Sequence, residues 1–482
     1  MIFTPLLAGL LILLLPAHRR NWFPWIALGA SAIALLLAVL AYVRYDIPAG
    51  GYQFMEELPW VPALGITYLV GLDGISLPLV LLSGLVLVSG VLVSWNVEER
   101  AREFFAYFMF LGGSVIGVFS SLDLFQLFFF FEIAVFPKYL MIILWGYPKT
   151  REYGGMKLTL YLFLGSAVAL LGALAIYAGS GLGTFNLVAL EGAHFSAEFQ
   201  RFWFPFVFLG FAILGGIFPF HSWAPDGHVA APTAVSMILA GVEMKVGAFA
   251  ALRVGIMLLP EGASYWAPAI LALATINVLY GAFIAMIQTD FKYVIGFSSV
   301  SHMGLVLIGF ATLSPQGLLG AGLQMFSHGI MTGLFFAVVG MVYDRAHTRN
   351  IAQLGGLFRV MPWAAVGFII GGLVSMGMPG FSGFTAEFAI FMGIWQVAPL
   401  VAIICAVAIV VTAGYILLVV RRVFFGDMPA ALVGQVGDVS LRDKISIALL
   451  GVLMIGLGWF PVLMVPMIQS GVDHILLLLG GK

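Results

Sequence analysis

The 482-residue chain is 62% hydrophobic and only 9% charged, with a formal net charge of -1, whereas soluble domains carry about 25% charged residues. No water-soluble surface can be assembled from that composition, and the near-neutral charge offers no basic stripe for nucleic acid. The one cysteine, Cys405, excludes a disulfide framework and an iron–sulfur cluster, which needs about four thiolate ligands.

In chain order, apolar runs occur near residues 1–16, 22–43, 75–95, 105–121, 123–146, 156–179, 204–221, 231–257, 267–288, 293–312, 317–343, 361–396, 399–420 and 445–466. A bilayer core about 30 Å thick takes about 20 apolar residues per helix, so the sequence predicts an all-α polytopic membrane protein with about 14 transmembrane helices. Long unbroken runs lack the alternation of a lipid-facing barrel strand. The first run has no basic flank before it and no small-residue cleavage site behind it, and reads as a retained helix. The Gly179-Ser180-Gly181-Leu182-Gly183 string closes an apolar run and reads as a turn, not a phosphate cradle; neither GxxxxGK[ST] nor HExxH occurs.

Basic residues set the orientation. Arg19 and Arg20, Arg100 and Arg102, then Lys149, Arg151 and Lys157 follow alternate runs and belong in the cytoplasm. The loops at 46–74 and 180–200 carry acids such as Asp46, Glu56, Glu57 and Glu191, and belong outside. The alternation continues through Arg345, Arg349 and Arg359 to Arg421, Arg422, Arg442 and Lys444 only if 361–396 crosses once. Gly377-Met378-Pro379-Gly380, followed by Phe381-Ser382-Gly383, predicts a helix break at mid-membrane there, with both termini outside. A second break is expected at His221-Ser222-Trp223-Ala224-Pro225-Asp226-Gly227-His228, ahead of the helix that begins at Pro232. Paired broken segments in two halves of a transporter point to the ion path.

An ionisable side chain near the middle of a span costs about 2.5–3.5 kcal/mol on insertion scales and is a functional candidate by default. Glu132 and Lys245 lie deep in their runs, Glu387 follows the predicted break, and Lys292 sits between two runs. A buried lysine changes charge when a carboxylate approaches or leaves, so a Glu and Lys pair is a switchable proton store and a row of them joined by water is a wire. A static ion pair tying two helices is the alternative for any single pair, less so for four residues spread over both halves. His302 and His328 lie inside spans, where an imidazole serves either as a relay or as a hydrogen-bonded packing residue. Glu243 is two residues from Lys245, about 200° round a helix, so the two do not face one site. Lys138 lies six residues after Glu132, beyond Pro137. Both Lys138 and Glu243 either join the path or pair elsewhere.

Several strings together resemble a known family. Val70-Gly71-Leu72-Asp73-Gly74-Ile75-Ser76, Phe131-Glu132 with Leu144-Trp145-Gly146, Phe220 to His228, Ala231-Pro232-Thr233-Ala234, Leu239 to Lys245, and Ser298 to Gly304 resemble the antiporter-like subunits of respiratory complex I, the NADH:quinone oxidoreductase. The resemblance covers about residues 65–395, with the motifs in order. It implies two inverted five-helix repeats, each with a discontinuous helix. It also implies that Glu132 is the essential acid, Lys245 its partner on a broken helix, Lys292 the central-axis lysine and Glu387 the terminal acid of the second half. Ala224 and Gly227 stand where the family usually has Leu and Ala, and Lys138 and Glu243 occupy positions that are commonly apolar there.

The domains so implied are N-terminal helices over 1–100, antiporter-like halves over 101–290 and 291–425, and a C-terminal helix over 426–482. The expected function is that of a proton-translocating, non-redox subunit in a bacterial inner membrane, beside adjacent antiporter-like subunits. No cofactor or metal is expected in this chain; NAD, FMN, iron–sulfur clusters and quinone would belong to partner subunits. The alternative is a cation/proton antiporter subunit of the multisubunit Na+/H+ type, or its equivalent in a membrane-bound hydrogenase. Ser301-His302-Met303-Gly304 and Pro232-Thr233-Ala234 favour the respiratory enzyme.

Overall fold

The computed structural model describes residues 1–480. Its long helices are α1 (Phe3–Leu14), α2 (Phe23–Arg44), α3 (Ser76–Val93), α4 (Ala101–Ser120), α5 (Leu124–Trp145) and α6 (Arg151–Ser180). Next comes α7, in two halves (Ala197–Leu214 and Trp223–Ala230), then α8 (Thr233–Ile256), α9 (Pro260–Ile287), α10 (Phe291–Ala311) and α11 (Pro315–Ala346). The remaining helices are α12, again in two halves (Pro362–Ser375 and Ser382–Val397), α13 (Pro399–Phe424), α14 (Leu441–Trp459) and α15 (Val465–Leu478). Among the described residues, 11 helices are long and apolar enough to cross a membrane, and α1, the first half of α12 and α15 are shorter apolar helices, roughly in keeping with the number expected from the sequence.

Loops segregate to two faces. On one face a hairpin, β1 (Gln53–Val61) and β2 (Ile66–Leu72), pairs antiparallel with Glu56 opposite Val70 and Pro59 opposite Thr67. The acidic loop at 46–74 is therefore not irregular, as an all-helical reading supposes. Asp123 caps α5 by accepting from Gln126 N at 2.9 Å and also takes Thr67 N at 3.1 Å, which pins the hairpin to that helix. On the other face Tyr147 N donates to Ala230 O at 2.8 Å, Asp290 bridges Asn350, and Arg345 pairs with Asp443 at 2.9 Å. The Lys and Arg loops named above all lie on this second face.

Helices α4–α8 and α9–α13 form two sets of five, each broken at its fourth member. The first set starts on the basic face. The second starts on the hairpin face, where Glu261 N donates to Gln200 at 2.8 Å, so the two run in opposite senses.

Both broken helices cross once, but the first breaks elsewhere than the sequence suggests. The His221 to His228 string is mostly helix; the interruption lies upstream, at Gly215–Pro219, where Gly216 has φ +81°. The physical reason is that Pro225 falls in the first turn of the second half, where a missing N–H leaves no helical bond unmade. The exposed backbone at the break is satisfied from the side. Asn277 of α9, fully buried, donates to Gly216 O at 2.7 Å and accepts from Phe218 N at 2.5 Å, and Trp223 Nε1 donates to Ile213 O at 2.8 Å. The second break falls where expected, at residues 376–381, with Gly377 at φ +63° and Gly380 at φ +91°.

Two further corrections concern α8 and the C-terminus. Lys245 does not sit on a broken helix: α8 runs continuously, but Leu239–Glu243 and Ala251–Ile256 are π-helical, a widening that frees carbonyls without ending the helix. The last apolar run is not one helix over 445–466. It stops at Trp459, because Pro461 cannot continue it, and α15 follows on the hairpin face, with Gly471 packed on Ile75.

Burial divides the helices by role. The apolar windows of α8 and α11 are 100% buried and that of α10 94%, whereas those of α2 and α13 are 33% buried. The first three form the axis, and they carry the charges discussed below. On the hairpin side a second buried cluster closes the end of α8: Arg253 pairs with Asp73 at 2.7 Å and donates to Tyr52 OH, which reaches Glu191, itself 3.2 Å from His474. Because Arg253 and Asp73 are both nearly inaccessible, Asp73→Ala strands a buried cation and should destabilise the fold by about 3–5 kcal/mol. The exposed Arg20–Glu98 pair, 3.8 Å apart, is the contrast: Glu98→Ala should cost less than about 1 kcal/mol. Thermal unfolding of the purified variants checks both.

Candidate functional site

The axis helices α8, α10 and α11, together with the second halves of α7 and α12, bring most of the predicted residues into one interior. Lys245 and His228 are 0% exposed, His328 1%, His302 and Glu387 4%, and Lys292 6%. His302 is the best connected. Its Nε2 lies 2.9 Å from Ser375 Oγ, and its Nδ1 lies 3.4 Å from Glu387 Oε1 and 3.3 Å from Gln324 Nε2. The His328 ring stands 5.4 Å from that of His302, and both its nitrogens are buried without a partner. A buried imidazole without a protein partner is uncommon, because buried polar atoms are as a rule hydrogen-bonded.

The two lysines are held by main-chain carbonyls. Lys245 Nζ donates to the carbonyl of Ala240, five residues back in the π-helical stretch of α8. Lys292, in the first turn of α10, reaches Ala231 O at 2.5 Å and so caps the second half of α7, a favourable place for a cation because helix C-termini carry partial negative charge. Asp290, nearest in sequence to Lys292, is occupied by Arg349 at 3.3 Å. A buried amine that meets only carbonyls has a charge that depends on what its neighbours carry. His228 is within the electrostatic reach of both Lys245 and Lys292, and His328 within that of Lys245.

His228 is the residue that sequence reasoning missed. It ends the Phe220 to His228 string, whose Pro225 and Gly227 predict a break, and a histidine in a break carries no signal of its own. In the structure it is inside a helix, both ring nitrogens unpartnered, 5.2 Å from the Phe336 ring.

The expected contact between Glu132 and Lys245 is not formed. Phe125, Phe129, Glu132 and Phe136 fall on one stripe of α5, and the three phenylalanines are 38%, 40% and 64% exposed. Glu132 is half-buried on that outward stripe, with no hydrogen-bond partner among the described residues. Helical phase decides this: the face of α5 that looks inward carries Lys138 instead, whose Nζ is 2.7 Å from Glu243 Oε2. Lys138 and Glu243 therefore pair with each other.

A cavity of about 290 Å³ reaches in from the basic face to Lys292, lined also by Tyr147, Thr233, Tyr343, Asp344 and Arg349. Its size and polar rim suit water, giving the lowest lysine of the line a route to solvent. No group of three or more His, Cys, Asp or Glu side chains among the described residues is placed to hold a metal ion.

Residues 121–413 match the family described as NADH:quinone oxidoreductase/Mrp antiporter, TM. The chain is 35% identical to NADH-quinone oxidoreductase subunit M of Rhodobacter capsulatus, over 98% of this chain and 95% of that one. It superposes on a chain of respiratory complex I from Thermus thermophilus with a TM-score of 0.89 and 28% identity, covering 98% of both. A chain of the Mrp complex from Dietzia sp. gives a TM-score of 0.88 at 20% identity, covering 98% of this chain and 96% of that one, which is a likeness of fold.

The break in α12 serves Glu387 directly: a Cβ on Gly377 would lie 2.6 Å from Glu387 Oε2, at a φ of +63° that disfavours any side chain. Gly377→Ala should therefore destabilise the protein by about 1–3 kcal/mol and displace the Glu387 carboxylate from His302. Gly414→Ala, where the added carbon meets nothing within 4 Å, should be neutral in the same unfolding measurement.

Proposed function

This chain belongs to the NADH:quinone oxidoreductase/Mrp antiporter membrane family, and from that premise we propose that it is the proton-translocating, non-redox subunit of a bacterial NADH:quinone oxidoreductase, the counterpart of subunit M. The observation that carries the reading is the set of buried titratable groups in the axis, Lys292 lining the basic-face cavity, His228, Lys245 and His328 fully or nearly fully buried, and His302 beside both His328 and Glu387. In this reading Lys292 exchanges protons with water in the cavity, Lys245 and the imidazoles pass them along the axis, and Glu387 beside His302 discharges them. Glu132, on its outward stripe, is set to respond to a neighbouring antiporter-like subunit rather than to Lys245.

The division into N-terminal helices over 1–100, two antiporter-like halves and a C-terminal segment from 426 belongs to the same reading, with the seam moved from the expected 290–291 to 257–259, because the broken helices then hold equivalent places. The basic face is cytoplasmic, which puts the hairpin and both termini on the outer side of the cell membrane. Dependence on partners follows from energetics: moving one charge against 100 mV costs about 2.3 kcal/mol, and one cysteine without a nucleotide motif supplies no source for it. NAD, FMN, iron–sulfur clusters and quinone accordingly sit on partner subunits, and the conformational or electrostatic change that quinone chemistry produces there drives this line.

An antiporter subunit of the Mrp type is the second reading, favoured only by the shared fold; the identity to subunit M over nearly the whole of both chains favours the first. The test is NADH-driven proton uptake by inverted membrane vesicles. Lys245→Met should lower uptake about 10-fold or more at equal amounts of assembled complex, since a positioned proton-transfer group contributes at least that much. Parent-level uptake would leave this chain as a scaffold.

A further inference from the structure

We propose that Lys138 and Glu243 form an additional proton-holding pair of the translocation machinery, set on the side of α8 away from the histidine line; this rests on the reading of Lys245 and Lys292 as proton sites. Their 2.7 Å contact joins α5 to α8, and each side chain is only 2% exposed. A buried ion pair is a poor way merely to hold two helices together, because apolar side chains of similar volume do so at least as well without desolvating two charges.

The pair is also unsaturated in a telling way. Glu243 Oε2 takes the lysine, while Oε1 is buried with no partner. Beside it lies a cavity of about 10 Å³ lined by Val115, Phe131, Ala134, Leu214 and Val246, close to the smallest space that admits one water. A clamp would use both oxygens; this carboxylate keeps one free to meet water.

Position adds a second argument. Glu243 ends the π-helical stretch of α8 whose Ala240 carbonyl receives Lys245, so the charges of Glu243 and Lys245 act on one short, irregular piece of backbone. On the α5 side, Pro137 separates Lys138 from Glu132 and leaves the Ile133 carbonyl without its helical donor. Glu132 and Lys138 are about 9 Å apart in helix rise, so exchange between them runs through water.

The step is a proton transfer with no redox partner. The Nζ–H bond of Lys138 breaks, its electron pair stays on Nζ, and an O–H bond forms on Glu243. The ion pair becomes a neutral amine and a neutral acid, which then yields its proton to the water at Oε1. A proton passed from Glu132 through water forms a new N–H bond on Lys138 and restores the pair, leaving Glu132 as the carboxylate.

Lys138→Arg separates this from a static clamp, because guanidinium keeps the positive charge and the bond to the carboxylate but does not release a proton in proteins. In the intact complex in inverted vesicles, NADH-driven proton uptake should fall about threefold or more at equal assembly; uptake equal to the parent overturns the proposal. Should the arginine variant fail to assemble, the apolar double variant Lys138→Met with Glu243→Leu decides. Reduced uptake supports the pair, whereas parent-level uptake, or failure of that variant to assemble, marks a structural clamp and overturns it. Lys245→Met in parallel keeps the two readings distinct: parent-level uptake there ends the proposed function itself, while loss there with normal uptake in Lys138→Arg ends only the role of the pair.

Discussion

Hydrocarbon offers no hydrogen bonds, so every polar group at membrane depth must be satisfied by the protein itself. The broken α7 exists because Asn277 and Trp223 supply bonds to the carbonyls and the amide that the break exposes. The π-helical widening of α8 exists because Lys245 takes a carbonyl that a regular helix would use internally. Irregular backbone and buried charge thus sustain each other: the first supplies ligands, the second consumes them.

The same constraint sorts the charges into two kinds. Asp73 with Arg253, and Asp226 with Lys157 at 2.7 Å, have both carboxylate oxygens engaged, Asp73 also by the amides of Ile75 and Ser76 and Asp226 also by the Tyr293 hydroxyl, and so change little. The axis groups are held more loosely. Lys245 and Lys292 meet only carbonyls, His228 and His328 meet no hydrogen-bond partner, and His302 shares its Nδ1 between Glu387 and Gln324. Groups whose partners are weak or missing are the ones whose protonation can follow a change made elsewhere. Under the proposed function, transport belongs to the groups with a free or weakly held atom, Oε1 of Glu243 included, and stability to the fully engaged pairs.

Glu132 stands on the outward face of α5, away from the axis groups. A half-buried carboxylate among exposed phenylalanines is costly against lipid, and the outward stripe of α5 is the kind of face that a neighbouring membrane subunit covers; under the proposed function the counter-charge of Glu132 would lie there.

What the sequence determined by itself is what depends on composition along the chain. The helical membrane class, the gathering of the basic loops on one face, the break at Gly377 to Gly380 and the presence of charges in apolar runs follow from hydropathy, charge and local backbone preference, none of which needs a neighbour. Tertiary structure decided the rest. Whether Pro225 breaks a helix depended on which residue began the next turn, and whether Glu132 or Lys138 faces α8 depended on the rotation of α5 against it. That rotation is set by side chains remote in sequence, such as Glu243, because a helix hydrophobic on all sides carries no amphipathic stripe to declare its inward face.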